Sequence, residues 1–505
     1  MSTTKTYFFQ SFWILLLATF FFIGIKEVLP KKLFSDKETV TKNVLIDSML
    51  IDALKADKEL GEIGTTGEAI SVDTIDSESS ISQNPPAANT TGQGFVFMED
   101  SYDSYSGLQY LSAFYEKLYQ LETNRKGKVR VAYYGDSMTD GDFIVQDFRA
   151  NFQNKFGGQG VGFVAITSES ASARTSVTHQ FSENWKMQSY LNVKNPIRPF
   201  AVNGHVFFAN DTINATWVKY KAGKSKNTSQ LNNPTLFYGS AANQNGYISY
   251  QIKNDTIAKK LSPNTILNTM QLSPNNLQSL NIGFRKAKSI PFYGLNFDDG
   301  KGVHVDNFSQ RGNSGIPISK FDVTLMNAFQ QKLGYDLIVL HYGTNVLKYG
   351  TLDFGWYDKS MTRTVERLQK SFPGAAILVV STADKATKYD TAMKTDSAVV
   401  PLTRSQKSYA IKTKSAYIDL YKLMGGEGSM AKWVEQDLPL ANKDYTHFNF
   451  RGSKKIGSML FHELDRGYEK YKLLREQAKM SSRTNSLVKR KADTLMSRKK
   501  SVNGL

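Results

Sequence analysis

The chain of 505 residues contains no cysteine. That excludes disulfides, thiolate metal sites, a cysteine nucleophile and a lipid-modified N-terminal cysteine. It does not fix the compartment, because an exported chain can also lack cysteine. Zinc-finger spacings and RNA-binding signatures are missing as well, so the net charge of +17 has no motif that would turn it into a nucleic-acid site. The excess is also unevenly placed: from Asp465 to the end, 12 Lys or Arg stand against 4 Asp or Glu. That stretch reads as a solvated helix or a disordered tail, with anionic lipid or cell-wall polymer as the alternative partner. No internal repeat is visible. Histidine is scarce, at six residues, which shortens the search for a general base.

What is present suffices for a folded protein. Hydrophobic residues make up 40% and aromatic residues 12% of the chain, and at roughly 150 residues per domain the length suggests two or three units. Tyr7 to Ile25, "YFFQSFWILLLATFFFIGI", carries no charge and is about long enough to cross a bilayer as a helix. It runs into "KEVLPKK" without an A-x-A-like cleavage site, so we expect an uncleaved transmembrane signal anchor at 7–25 with the bulk of the chain on the extracytoplasmic, periplasmic side. The flanking lysines, Lys5 before and Lys26, Lys31 and Lys32 after, do not favour that orientation.

Residues 26–100 are rich in Ser, Thr, Gly and Pro and read as a flexible stalk. From 101 the pattern alternates. "LQYLSAFYEKLYQLE" has helical spacing and "KVRVAYYGDS" follows as a buried strand. "YDLIVLHYGTN" and "AAILVVST" are further strands, with "YDKSMTRTVERLQKSF" a helix between them. Such alternation predicts an α/β layered domain with a parallel sheet. Residues 167–301 differ in texture. Short strand-like runs such as "HVFFA", "ATWVKYKA", "PTLFYG" and "GYISYQI" sit between turn residues, predicting an inserted all-β unit, sandwich or jelly roll. The expected organisation is therefore an α/β domain in two parts, 101–166 and 302–466, interrupted by a β-rich insertion, with a basic tail at 467–505. Trp217, Tyr238 and Tyr247 of the insertion either pack its core or stack on sugar rings.

The strand "VRVAYYGDSMTDGD" delivers Ser137 to its carboxyl end, where reactive groups of open α/β sheets collect. A serine hydroxyl is a poor nucleophile until a base takes its proton, so an imidazole and an orienting carboxylate are also required. Of the six histidines only His447 lies in a compact setting with an acid, "NKDYTHFNFRGS". There the D-x-x-H spacing lets one turn present Asp444 and His447 together. "LIVLHYGTN" ends another buried strand in Asn345, whose amide can donate to an oxyanion, and "SQRGNSGIP" offers the backbone amides of Gly312 and Gly315. His341 reads either as a packed strand-end residue or as a contact near the site. Asp136 reads as a brace for the serine turn rather than as half of a metal pair with Asp142. Trp433 reads as packing around the His447 loop.

In this order the pieces resemble the SGNH (GDSL) hydrolase family. The GDS of Ser137 matches block one, the glycine loop aligned on Gly315 block two, G-x-N ending at Asn345 block three, and D-x-x-H block five. The G-x-S-x-G elbow of the α/β-hydrolases is absent. The resemblance implies an SGNH-type three-layer sandwich, with Ser137 as nucleophile, His447 as general base and Asp444 as its orienter. The oxyanion hole would comprise the Ser137 and Gly315 amides and the Asn345 side chain, with no cofactor and no metal. A narrower likeness, through "GDSMTDGDFIVQDFR", "KFGGQGVGFV", "HYGTN" and "MGGEGSMAKW", points to the branch containing peptidoglycan O-acetylesterases and O-acetyltransferases. Met138 and Val346 depart from it, standing where a histidine and an acidic residue often occur. Three functions follow as expectations. The first is a membrane-anchored esterase removing O-acetyl groups from a cell-envelope glycan. The second is an O-acetyltransferase with the same triad, served by a membrane-bound acetyl-donor partner. The third is a carbohydrate-binding protein with a vestigial triad.

Overall fold

In the computed structural model, residues 101–502 are described except 211–214, 253–254 and 350, together with 12, 13, 16 and 17; side chains are described to residue 480. The expected anchor at 7–25, those four residues apart, and the stalk at 26–100 lie outside the described residues. Among the described residues no helix is long and apolar enough to cross a membrane.

Five strands form a parallel sheet: β1 (Lys128–Gly135), β2 (Gly302–Asn307), β3 (Leu337–His341), β4 (Ala376–Val380) and β5 (Ala416–Ile418), in the order β2-β1-β3-β4-β5. β1 is flanked on both sides, Val131 opposite Val305 of β2 and Leu337 of β3. This explains why its sequence is an apolar run rather than an alternation: both faces of a central parallel strand are covered. Successive side chains still go to opposite faces. Val131 and Tyr133 pack with helices α1 (Ser112–Asn124) and α2 (Val145–Phe156) and with the start of the long C-terminal helix. Ala132 and Tyr134 pack on the other face with α3 (Val323–Leu333), α4 (Gly355–Ser371) and α5 (Val399–Lys412). The result is three layers, with every strand's carboxyl end at one edge of the sheet.

The connection from β1 to β2 carries α2 and then an antiparallel β-sandwich. One sheet runs Asn268–Gln271, Thr235–Tyr238, Pro291–Phe297, His205–Phe208 and Lys186–Ser189; the other runs Val177–Phe181, Thr216–Ala222, Ser279–Arg285, Tyr247–Ile252 and Asp255–Lys260. Val218, Tyr220, Ile282 and Phe284 of one sheet meet Phe207, Leu236, Phe292 and Leu295 of the other in a shared core. Gly162–Val164, placed by its sequence in the first part of the α/β domain, instead pairs with Pro291–Phe297 and opens the sandwich. Three residues between glycines carry too little periodicity to reveal their partner. The insertion's root is tied down by Arg130, which is fully buried. It donates to Asp306 at 2.7 and 2.8 Å and to Asn296 at 2.6 Å, and it is ion-paired with Asp298.

The C-terminal helix α6 (Phe450–Val502) passes through residue 467 without a break, so the packed fold extends beyond the boundary expected for the tail. Tyr468 and Tyr471 are buried and donate to Glu122 and Glu116 of α1 at 2.6 and 2.5 Å. Arg475 adds an ion pair to Glu116 at 2.9 Å. The charge count of this stretch hid an apolar and tyrosine face at helical spacing.

Candidate active site

β1 ends in a tight turn that only a small residue can start. A Cβ on Gly135 would lie 2.2 Å from Thr139 Oγ1 and 3.1 Å from the His341 carbonyl oxygen. The Asp136 carbonyl accepts from the Asp140 amide at 3.0 Å, and its Oδ1 accepts from the Met138 amide at 2.9 Å. From Val129 to Gly141 all residues are buried except Ser137, which is half-buried. The turn therefore lifts one hydroxyl out of a packed strand.

His447 reaches that hydroxyl from a loop 310 residues further along the chain, its Nε2 lying 2.9 Å from Ser137 Oγ. Asp444 Oδ2 is 2.8 Å from His447 Nδ1, and Asp444 Oδ1 accepts the backbone amides of Thr446 at 3.0 Å and His447 at 2.9 Å. A carboxylate on Nδ1 fixes the N–H there and leaves the Nε2 lone pair facing the serine. Burial pushes the Asp444 carboxyl up, but the His447 amide, the imidazole and the Thr446 amide outweigh it and hold it below the usual carboxylate range. The loop is braced from outside: Tyr445 accepts from the Ala386 amide at 3.0 Å, and the Trp433 ring packs on Phe448 at 5.5 Å.

The segment after β3 brings Asn345 to the same edge. Gly343 has φ 145°, and a Cβ there would meet Thr382 Cβ at 2.4 Å, which accounts for the glycine of "YGTN". One Asn345 Nδ2 hydrogen is donated to the Asn313 carbonyl at 3.1 Å; the amide carries a second. Gly315, the expected glycine-loop donor, donates its N–H to Asn313 Oδ1 at 2.9 Å. That corrects the alignment. The Gln310 amide bonds the Gly135 carbonyl at 3.0 Å, so Gly312 and Ser137 each stand two residues beyond a paired position. Among the described residues neither of their backbone amides donates within the protein. Unpaired amides at such a place are donors awaiting an acceptor. Asn313, which composes this loop, was missed in the sequence. The Asn-x-Gly spacing of an Asx turn was the available signal.

Asp136 has a second role. Burial pushes its carboxyl up to about 6; the Met138 amide, the His447 ring and Thr344 offset part of that. Its Oδ2 is buried without a hydrogen bond of ordinary geometry. The folded protein thus holds a proton between about pH 4 and 6 that the unfolded chain has released, and stability is lost as pH rises through that window. Asp136→Asn is expected to raise unfolding stability by about 1–2 kcal/mol at pH 8 and by almost nothing at about pH 3, where the carboxyl is neutral in the folded and the unfolded chain alike. Urea melts at the two pH values measure this; equal effects at both would contradict it.

His341 is buried, 2.8 Å from Tyr133 Oη through Nδ1, and burial pulls it down to about 4, so it is neutral at physiological pH. Asp142 is not presented to the serine: both of its oxygens accept from Arg149, at 2.8 and 2.9 Å.

No protein-family profile matches the chain, and no curated protein is similar to it in sequence. Its structure is similar to that of a peptidoglycan O-acetylesterase, with a TM-score of 0.58 at 20% identity over 74% of this chain and 98% of the other. The chain shares that fold, as the resemblance to SGNH hydrolases implied. A family two carbohydrate esterase from Cellvibrio japonicus is a far looser match, with a TM-score of 0.25 at 11% identity over 58% and 98% of the two chains.

Proposed function

We propose that this chain is a serine esterase that removes O-acetyl groups from a cell-envelope glycan of the peptidoglycan type, held at the membrane by the apolar run 7–25. The observation that carries the reading is the unbroken relay from Ser137 Oγ to His447 Nε2 and from Nδ1 to Asp444, at 2.9 and 2.8 Å. The shared fold of the peptidoglycan O-acetylesterase supports the choice of ester.

In this reading Ser137 Oγ attacks the acetyl carbonyl carbon while His447 Nε2 takes the hydroxyl proton. The carbonyl oxygen becomes an oxyanion facing the Ser137 and Gly312 amides and the free Asn345 N–H. Such preset donors are worth about 3–4 kcal/mol of barrier each. As the intermediate collapses, the imidazolium returns the proton to the departing sugar oxygen, which leaves as a hydroxyl. Water then attacks the acetyl-serine, His447 taking one proton and passing it to Ser137 as acetate departs. Asp444 stays ionised throughout and stabilises the imidazolium.

The test is acetate release by the full-length protein, in detergent, from a chromogenic acetyl ester and from O-acetylated peptidoglycan fragments, with and without a glycan acceptor. Hydrolysis of both is expected. Transfer to acceptor exceeding hydrolysis would replace the esterase by a transferase, and absence of any turnover by folded protein would remove both. Asp444→Ala is expected to lower kcat by about 10²-fold. The loss is moderate because the Asp444 side chain is 49% exposed and water can stand in for it. An unchanged kcat would remove Asp444 from the relay.

A further inference from the structure

Beside the serine turn, a cavity of about 90 Å³ opens between the α/β domain and the sandwich. Asp140 and Arg311 line it on one side, Ser168, Met187 and His205 on the other. Neither Ser137 nor His447 lines it, but Asp140 closes the serine turn and Arg311 immediately precedes Gly312. Through Ser168, Glu169 and Arg174 the cavity shares its wall with an open groove of about 660 Å³ on the sandwich, which Trp217 also lines.

Two side chains along this path present groups that the described residues leave unused. Arg311 Nε is fixed to Asp140 Oδ2 at 2.9 Å, and Asp140 Oδ1 in turn accepts from Ser170 at 2.7 Å. The Arg311 side chain is nevertheless 52% exposed, and among the described residues its terminal NH2 groups donate to nothing. Trp217 lies in Thr216–Ala222, where Val218 and Tyr220 face the sandwich core. By strand alternation Trp217 faces outward. It is half-buried, and among the described residues no ring packs on its indole. A large aromatic on the wet face of a sheet is a platform for an apolar ring face with a polar edge. Of the charges between the two, Asp140 pairs with Arg311 and Asp142 with Arg149 and Arg174, while among the described residues Glu169 of the shared wall has no ion pair. What the path offers is therefore hydroxyls, amides, fixed N–H donors, one carboxylate and one aromatic face, groups that hydrogen-bond sugar hydroxyls and stack on a ring.

We infer that this path from Arg311 to Trp217 is an extended oligosaccharide cleft, through which the inserted sandwich selects polymeric substrate for Ser137. Arg311 holds the sugar next to the acetylated one, and Trp217 stacks a ring further along the chain. The inference rests on the esterase reading only for its connection to Ser137; the cleft itself is a binding claim.

Two measurements keep these apart. In the full-length protein, Arg311→Gln and Trp217→Ala are each expected to lower the ratio of kcat/KM for O-acetylated peptidoglycan fragments to that for a chromogenic acetyl ester by about tenfold. A ratio within twofold of the unsubstituted protein for both variants would overturn the cleft. Calorimetric binding of the same fragments is measured on the Ser137→Ala protein, with and without each groove substitution. A tenfold weaker Kd supports the cleft even where no hydrolysis is seen, and equal Kd values overturn it even where the esterase reading survives. Arg311→Lys, which retains the charge and loses the fork, is expected to recover little of the lost ratio; full recovery would reduce Arg311 to a charge effect.

Discussion

Ser137→Ala is expected to lower kcat on a small acetyl ester by about 10⁶-fold, to the level set by the oxyanion donors alone. The reason is chemical. No other hydroxyl is bonded to His447 Nε2 among the described residues, so without Oγ the imidazole has no proton to take and the acyl-enzyme cannot form. The side chain is small and half-buried at the apex of a turn held by backbone bonds to Asp136. Stability should therefore change by no more than about 0.5 kcal/mol. Steady-state kinetics paired with a thermal melt checks both halves. Retained activity would exclude Ser137 as nucleophile, and a lost melt would leave the kinetic result uninformative, in which case Ser137→Cys at the same position decides. A thiolate there should be alkylated rapidly if His447 activates it.

The second large effect concerns the root of the sandwich. Arg130→Met is expected to destabilise the fold by about 3–5 kcal/mol, because it strands Asp306 and Asp298 in the interior without their cation. Burial pulls the guanidinium down, yet Asp306, Asp298 and Tyr335 more than offset it and hold its proton firmly. Burial likewise pushes the Asp298 carboxyl up, while Arg130, His304 and Lys128 bring it far below the usual carboxylate range. With the folded value below the unfolded one, this carboxylate contributes stability above about pH 4 that is lost as pH falls. Denaturant unfolding of Arg130→Met at pH 7, against the unsubstituted protein, gives the magnitude. A change below 1 kcal/mol would mean that the network is dispensable packing rather than the joint between the two units.

The parts of the fold visible in the sequence were those with strong periodicity. β1, β3 and β4 showed as apolar runs, and the inserted strands at His205–Phe208, Thr216–Ala222, Thr235–Tyr238 and Tyr247–Ile252 showed between turn residues. Features that depend on partners distant in the chain did not show. Gly162–Val164 looks like any short run until Pro291–Phe297 lies beside it. The continuation of α6 past residue 467 was masked because lysine and arginine dominate a surface whose buried tyrosines are few. At the site, the chain order of serine, glycine loop, asparagine and D-x-x-H placed the residues on loops at one sheet edge. It could not say which glycine amide stays unpaired, because that depends on where the Asn313 side chain turns. Nor could it show that Arg311 and Trp217 lie along one path, since they stand on different units.

The connection between β1 and β2 has a further consequence. Neighbouring strands of one sheet are separated by a complete sandwich, whose first and last strands pair with each other. The serine turn, the glycine loop and the histidine loop emerge in that order during synthesis, the last of them 310 residues after the first. A nascent or truncated chain that stops short of the histidine loop therefore holds the serine turn without Asp444 and His447, the groups placed to activate it.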